Sequence, residues 1–189
     1  MPRRLSFLLC AMATIHIAAG SLAWGGEPGQ WKPGRWEAGA SVNYAWIVFS
    51  KGDEPKGGGV GIHLRYGLSE NFSLKIGALW SGHDLDATKE RPGGIFHVLA
   101  ADAGLTYAID IMRFSPKIEV GVGILWHRLG ENSEAALGVK IGLAGDYHIT
   151  PWITIGLGIF YHGFLTDLGN IPVYVELGPR VSIQWGGAE

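Results

Sequence analysis

Along most of this chain hydrophobic residues occupy every second position. In 117–128, KIEVGVGILWHR, one row holds Ile118, Val120, Val122, Ile124 and Trp126. The other row holds Lys117, Glu119, Gly121, Gly123, Leu125 and His127. Such alternation predicts an extended strand whose two faces differ in chemistry. Eight segments carry the pattern, at about 36–49, 59–68, 72–82, 95–109, 116–128, 135–148, 152–163 and 172–185. Each is close to the length that a tilted strand needs to cross a bilayer. Their connections alternate in length. LSEN, DIMRFS and ITP are short; SKGDEPKGG, GHDLDATKERPGG, LGENSE and GFLTDLGNI are longer. An even strand count with short turns on one side and longer loops on the other predicts a membrane barrel with both termini in the periplasm.

Which face is inside decides between two barrels. The apolar rows include Val60, Ile62 and Leu64, then Leu74, Ile76 and Ala78, and later Ile153, Ile155 and Leu157. A soluble, lipocalin-like barrel would turn these inward around one small ligand. The aromatic residues argue otherwise. Trp36, Tyr66, Phe72, Tyr107, Tyr147 and Trp185 fall at the predicted periplasmic ends of the apolar rows, and Tyr44, Trp46, Trp80, Trp126 and Tyr161 at the outer ends. Two aromatic rings around an aliphatic band suit the two lipid–water boundaries, whereas a soluble core has no reason to sort aromatics by height. The apolar row is therefore expected to face lipid.

The remaining composition fits an exported chain. Arg3 and Arg4 precede a short apolar run ending at Ser21-Leu22-Ala23, the anatomy of a signal peptide, expected over 1–23. Residues 24–35 read as a short periplasmic segment, 36–185 as the barrel and 186–189 as a tail. Cys10, the single cysteine, falls within the signal, so the mature chain offers neither a disulfide nor a thiol nucleophile. The chain has 15 basic and 17 acidic residues, and 13 against 17 once Arg3 and Arg4 are removed. That balance excludes a basic nucleic-acid surface. No apolar run beyond the signal is long enough for a membrane helix, so a membrane location requires a closed barrel.

The passages YGLSENFSLKIGALW and GDYHITPWITIGLGIFY each carry a glycine-bearing strand through a tight turn into a strand that opens on an aromatic residue. In these and in its whole 36–185 span the chain resembles the eight-stranded outer-membrane β-barrel family of OmpA-like, OmpX-like and OmpW-like proteins. The resemblance implies an all-β fold, an eight-stranded antiparallel up-and-down transmembrane barrel, in the outer membrane of a diderm bacterium. It also implies contact with outer-membrane lipid and lipopolysaccharide, and with the barrel-assembly machinery during biogenesis. Family members usually end on an aromatic residue, whereas Trp185 here is followed by Gly186-Gly187-Ala188-Glu189. Pro179 sits in the middle of the last strand and removes a ladder donor. The apolar parity continues on both sides of it, which predicts a lost bond without a bulge.

The inward rows carry five cations, Arg65, Lys75, Lys117, Lys140 and Arg180, and five anions, Glu37, Asp102, Glu119, Asp146 and Glu176. A selective pore favours one sign. Balance instead predicts pairing across a narrow lumen, with Glu119–Lys140 and Lys117–Asp146 as candidate pairs. Inward glycines such as Gly61, Gly77, Gly104, Gly142, Gly156 and Gly158 are expected to make room for long charged side chains. His63, His83, His97, His127 and His162 are expected near the outer rim, with Asp84, Asp86 and Asp167 close by. No pair has a metal-ligand spacing, so no metal and no cofactor are assigned. A lipid A-modifying enzyme needs a base beside a nucleophile. His162 and His97 have no serine near them in sequence, so no catalytic residue is assigned and no enzyme is expected. Lys89 and Arg91, in the loop after the third strand, are placed to meet lipopolysaccharide phosphates. The expected protein is a monomer with a plugged polar lumen and a structural, adhesive or surface-binding role. The alternative is a narrow channel for small solutes.

Overall fold

Alternating rows can satisfy every backbone polar group in lipid only by closing on themselves, and this chain closes. The computed structural model describes residues 32–48, 55–85, 93–129, 132–166 and 173–187. Among them run eight strands: β1 (Arg35–Val48), β2 (Lys56–Gly67), β3 (Phe72–Leu85), β4 (Gly94–Ala108), β5 (Phe114–Leu129), β6 (Asn132–His148), β7 (Ile153–Phe164) and β8 (Val173–Gly186). All neighbours are antiparallel, and β1 pairs with β8 to shut the barrel. The aliphatic rows lie outside: Val42, Ile62, Ile76, Val122, Ile141 and Leu157 are each more than half exposed. The inside-out orientation expected from the aromatic positions is the observed one.

Two of the turns at the end that carries the termini are built alike. In the β2–β3 turn Ser69 Oγ accepts from the amides of Asn71 and Phe72 at 3.4 and 3.0 Å. In the β6–β7 turn Thr150 Oγ1 accepts from Trp152 and Ile153 at 3.3 and 2.9 Å. A hydroxyl at the first turn position thus substitutes for the missing ladder partner in LSEN and ITP alike. In the β4–β5 turn Met112 takes a positive φ of 56°.

Three expectations about the connections change. The LGENSE loop is nearly absent, because β5 runs to Leu129 and β6 begins at Asn132, in register with it. The alternation of loop length therefore fails at this position: the connection expected to be long spans only 130–131. β3 extends to Leu85, which moves His83 and Asp84 from the expected loop into the strand. β2 begins at Lys56, inside the stretch expected to be loop. The signal at 1–23, most of the segment 24–35, residues 188–189 of the tail, and Asp86, Lys89, Arg91 and Asp167 lie outside the described residues.

Pro179 behaves as its chemistry requires. On the β7 side the ladder is unbroken, with Leu157 opposite Pro179. On the β1 side pairing lapses between Ser41↔Arg180 and Tyr44↔Leu177 and resumes in the same register. The missing amide hydrogen costs local pairing and introduces no bulge.

Candidate functional site

The ten charges predicted for the lumen all point inward, and they form two groups stacked along the barrel. Nearer the terminal end, Glu37 accepts from Arg65 Nη1 at 2.8 Å, Gln184 Nε2 at 2.9 Å and Lys117 Nζ at 3.4 Å. Asp146 takes Lys117 Nζ at 2.5 Å and a two-pronged contact from Arg180, through Nε at 2.7 Å and Nη2 at 2.9 Å. Glu119 sits between them and accepts from Arg65 Nη2 and Arg180 Nη1, both at 3.0 Å, and from Lys75. Forked guanidinium contacts of this kind fix geometry as well as charge. Further out, Lys140 Nζ donates to Asp102 at 3.1 Å and lies 3.8 Å from Glu176. Glu176 also accepts from Asn43 Nδ2 at 3.0 Å and contacts His162 Nε2 at 3.1 Å.

Lys117 and Asp146 are therefore partners, as the sequence suggested. Glu119 and Lys140 are not: their strands are neighbours, but each side chain reaches across the lumen to other partners. The first group contains four cations and three anions, and the second one cation and two anions. Phe160 links them, with the ammonium groups of Lys75 and Lys140 at 4.9 and 4.6 Å from its ring centroid. The glycines that make room for this ring are Gly142 and Gly158, where a Cβ would stand 2.1 and 2.5 Å from Phe160 atoms. They accommodate an aromatic ring and not the charge that was expected. Gly156 does admit a charge, since a Cβ there would fall 2.1 Å from Asp146 Oδ1. Between the two groups is a cavity of about 30 Å³, bordered by His63, Lys75, Asp102, Lys140 and Glu176.

The inward face is not polar throughout. Ile47, Leu79, Leu85, Phe96, Val98, Leu125 and Phe164 are all buried inside the outer half and form one apolar cluster with Ala45, Ala100, Ala136 and Tyr174. Inward rows of charge and glycine do not announce this upper storey in the sequence, although Leu79, Val98 and Leu125 share parity with the charges below. Beside the cluster Tyr174 donates to Ser81 Oγ at 3.1 Å, and Ser81 Oγ lies 3.0 Å from His83 Nε2. A hydroxyl–imidazole pair therefore does exist, from the Ser81-Gly82-His83 spacing that puts both on one strand face. Ser81 and His83 are fully buried.

The histidines do not share one rim. His63 contacts Glu37 Oε1 at 3.1 Å in the terminal half, against expectation. His83 and His162 both pack edge-on against Tyr174 inside the barrel. His127 points inward and stacks on Phe96, while His97 points outward and stacks on Trp80. No group of three ligating side chains that could hold a metal occurs among the described residues.

Outside, Trp36 lies opposite Tyr66 and Trp185, and Phe72 opposite Tyr107. Tyr147 lies opposite Phe114, a ring member that the sequence reading left out because it began β5 at 116. At the other end Trp80, Leu99 and Trp126 form one lateral row. Tyr44 and Trp46 pack at 5.9 Å, and Tyr161 completes the outer set.

A family profile described as an outer membrane protein beta-barrel domain matches residues 6–165. No curated protein matches the chain. Among solved structures the chain is similar to Neisserial surface protein A, at 16% identity and a TM-score of 0.64, covering 79% of this chain and 97% of that one. It is similar to the outer membrane protein OprG of Pseudomonas aeruginosa at 13% identity and a TM-score of 0.60, covering 84% and 99%. It is also similar to Ail, the attachment invasion locus protein of Yersinia pestis, at 12% identity and a TM-score of 0.54, covering 81% and 99%.

Proposed function

This chain belongs to the outer membrane protein β-barrel family, and from that premise we propose that it is a closed, non-conducting barrel whose role, structural or adhesive, is exercised at its outer surface. The filled interior carries this reading. A permeating ion would have to pass the Glu37–Glu119–Asp146 network, in which every carboxylate already has cationic partners, and then the apolar cluster of Ile47, Phe96, Leu125 and Phe164. The cavity between them, at about 30 Å³, has room for roughly two waters and no continuous file. Eight strands enclose little more than their own side chains.

Catalysis is not part of the proposal. The Ser81–His83 pair is buried beside Tyr174 inside the barrel, out of reach of a lipid substrate, and outward-facing His97 has no hydrogen-bonded serine among the described residues. Attachment is proposed from the similarity to Ail, the attachment invasion locus protein of Yersinia pestis, whose structure is also known in complex with the heparin analogue sucrose octasulfate. Export through a cleaved signal over 1–23 is part of the same proposal.

Planar-bilayer recording tests the closed barrel. The folded protein is expected to give no discrete openings, and stepwise currents that track protein insertion would install the narrow-channel reading instead. Attachment is read by displaying the protein on a non-adherent strain. Greater adherence to host-cell matrix is expected, and adherence equal to the empty strain leaves a structural role alone.

A further inference from the structure

At the outer ends of β3 to β6 the outward face turns from aliphatic to polar. Below the Trp80–Leu99–Trp126 row the outside is aliphatic and the inside charged. Above it the inside is uncharged on β3 and β4, where Leu85, Phe96 and Val98 are buried beside Ser81 and His83. The outside row one step higher reads Gly82, His97, Arg128 and Ser133, consecutive in register across four strands. An outward row that turns polar marks where the wall leaves hydrocarbon, and the phosphate level of a bilayer lies just beyond the aromatic girdle. At this height the lipid-facing surface has a cleft of about 370 Å³ whose lining includes Trp80, His97, Leu99, Trp126, Arg128 and Ser133. That volume falls within the range of small-ligand sites.

The chemistry of the lining is specific. Trp80 and Trp126 flank Leu99 in the lateral row, so the lower part is apolar and amphipathic, suited to the glycerol or sugar region of a lipid. His97 stacks on Trp80 with ring centroids 5.8 Å apart and planes 23° apart. Its Nδ1 is buried without a hydrogen-bond partner among the described residues. Arg128 sits opposite His97 in register and brings a permanent positive charge with a planar fork of donors. Asp84, the outward charge on β3, stands one step further out, opposite Ile95, and is not part of the lining.

We propose that this cleft binds the phosphate-bearing headgroup of an anionic outer-leaflet lipid. Arg128 meets the phosphate, His97 and Ser133 offer hydrogen bonds, and Trp80 and Trp126 hold the adjoining part of the molecule at the interface. The inference rests on the membrane placement of the barrel and not on whether the lumen conducts or the surface adheres.

Native mass spectrometry of the detergent-folded, full-length mature chain tests it, with three probes: phosphatidic acid, diacylglycerol with the same acyl chains, and inorganic phosphate. One phosphatidic acid per barrel is expected, with diacylglycerol and inorganic phosphate binding far more weakly. Arg128→Gln is expected to weaken the phosphatidic acid complex about tenfold, the scale of one lost charge-assisted contact. Arg113→Gln, at an exposed turn on the terminal side, is expected to leave it unchanged; circular dichroism and heat-shifted gel mobility show that both variants fold. Equal retention of diacylglycerol and phosphatidic acid overturns the phosphate contact. Inorganic phosphate binding as tightly as the lipid overturns the lipid assignment. Equal affinity in Arg128→Gln and the parent overturns the role of Arg128.

Discussion

Replacing Glu119 with alanine is expected to lower the unfolding free energy of the barrel by about 3–5 kcal/mol, the range for removing one partner from a buried ionic cluster. Glu119 is 2% exposed and accepts from Arg65, Arg180 and Lys75 at once. Arg65 keeps Glu37 and Arg180 keeps Asp146 when Glu119 is lost. Lys75 keeps only the face of Phe160 among the contacts described. The cost therefore arises mainly from leaving a surplus cation in a group that already holds four against three. Glu119→Gln retains the volume and an acceptor oxygen, so a smaller loss is expected. Urea unfolding in lipid vesicles, followed by tryptophan fluorescence, measures all three proteins. Glu134→Ala serves as control, because Glu134 has a side chain 68% exposed and, among the described residues, makes only a 4.0 Å contact to His127. Its substitution is expected to stay within about 0.5 kcal/mol. If Glu119→Ala and Glu134→Ala unfold at the same urea concentration, the cluster is not a structural element.

That network shows where reading the sequence succeeds and where it stops. Parity is a local property, so the inward orientation of Glu37, Arg65 and Lys117 follows from their neighbours in the chain. Lys117–Asp146 was also legible, because β5 and β6 adjoin and both side chains lie near the same turn end. The partners of Glu119 were not, since Arg65 lies on β2 and Arg180 on β8 and they meet it only across a closed lumen. Their convergence depends on stagger, which strand-by-strand alternation does not encode. The apolar upper storey was hidden for a related reason. Ile47, Leu79, Val98 and Leu125 sit on rows where charge and glycine dominate lower down, and a row averaged along its length conceals a change with height. The outward cleft is hidden in the same way, because strand by strand Trp80 reads as a girdle residue and Arg128 as the end of a strand. The register that sets His97 between Gly82 and Arg128 was needed to see a row one step above the girdle.

Val120→Arg separates the membrane barrel from any soluble barrel of the same topology. Val120 lies midway along β5 between Phe114 and Trp126, and its neighbours Leu105 and Ile141 are likewise outward and exposed. Near the bilayer midplane an outward arginine is expected to cost about 2–4 kcal/mol, falling toward zero at the interfaces. In water the same substitution at a site 47% exposed would change stability by less than about 0.5 kcal/mol. The depth dependence supplies the stronger test. Leu99→Arg, in the outer girdle row, should cost less than Val120→Arg, although Leu99 is equally exposed at 47%. Both are measured by urea unfolding in vesicles, where the bilayer imposes the gradient, and again in detergent micelles, where depth is poorly defined. Equal costs at the two heights in vesicles would mean that the aliphatic band does not sit across the hydrocarbon. A cost that is large at Val120, smaller at Leu99 and levelled in micelles would place the band there. It would also set the Gly82–His97–Arg128–Ser133 row at the headgroups, where a cation stabilises instead of costing.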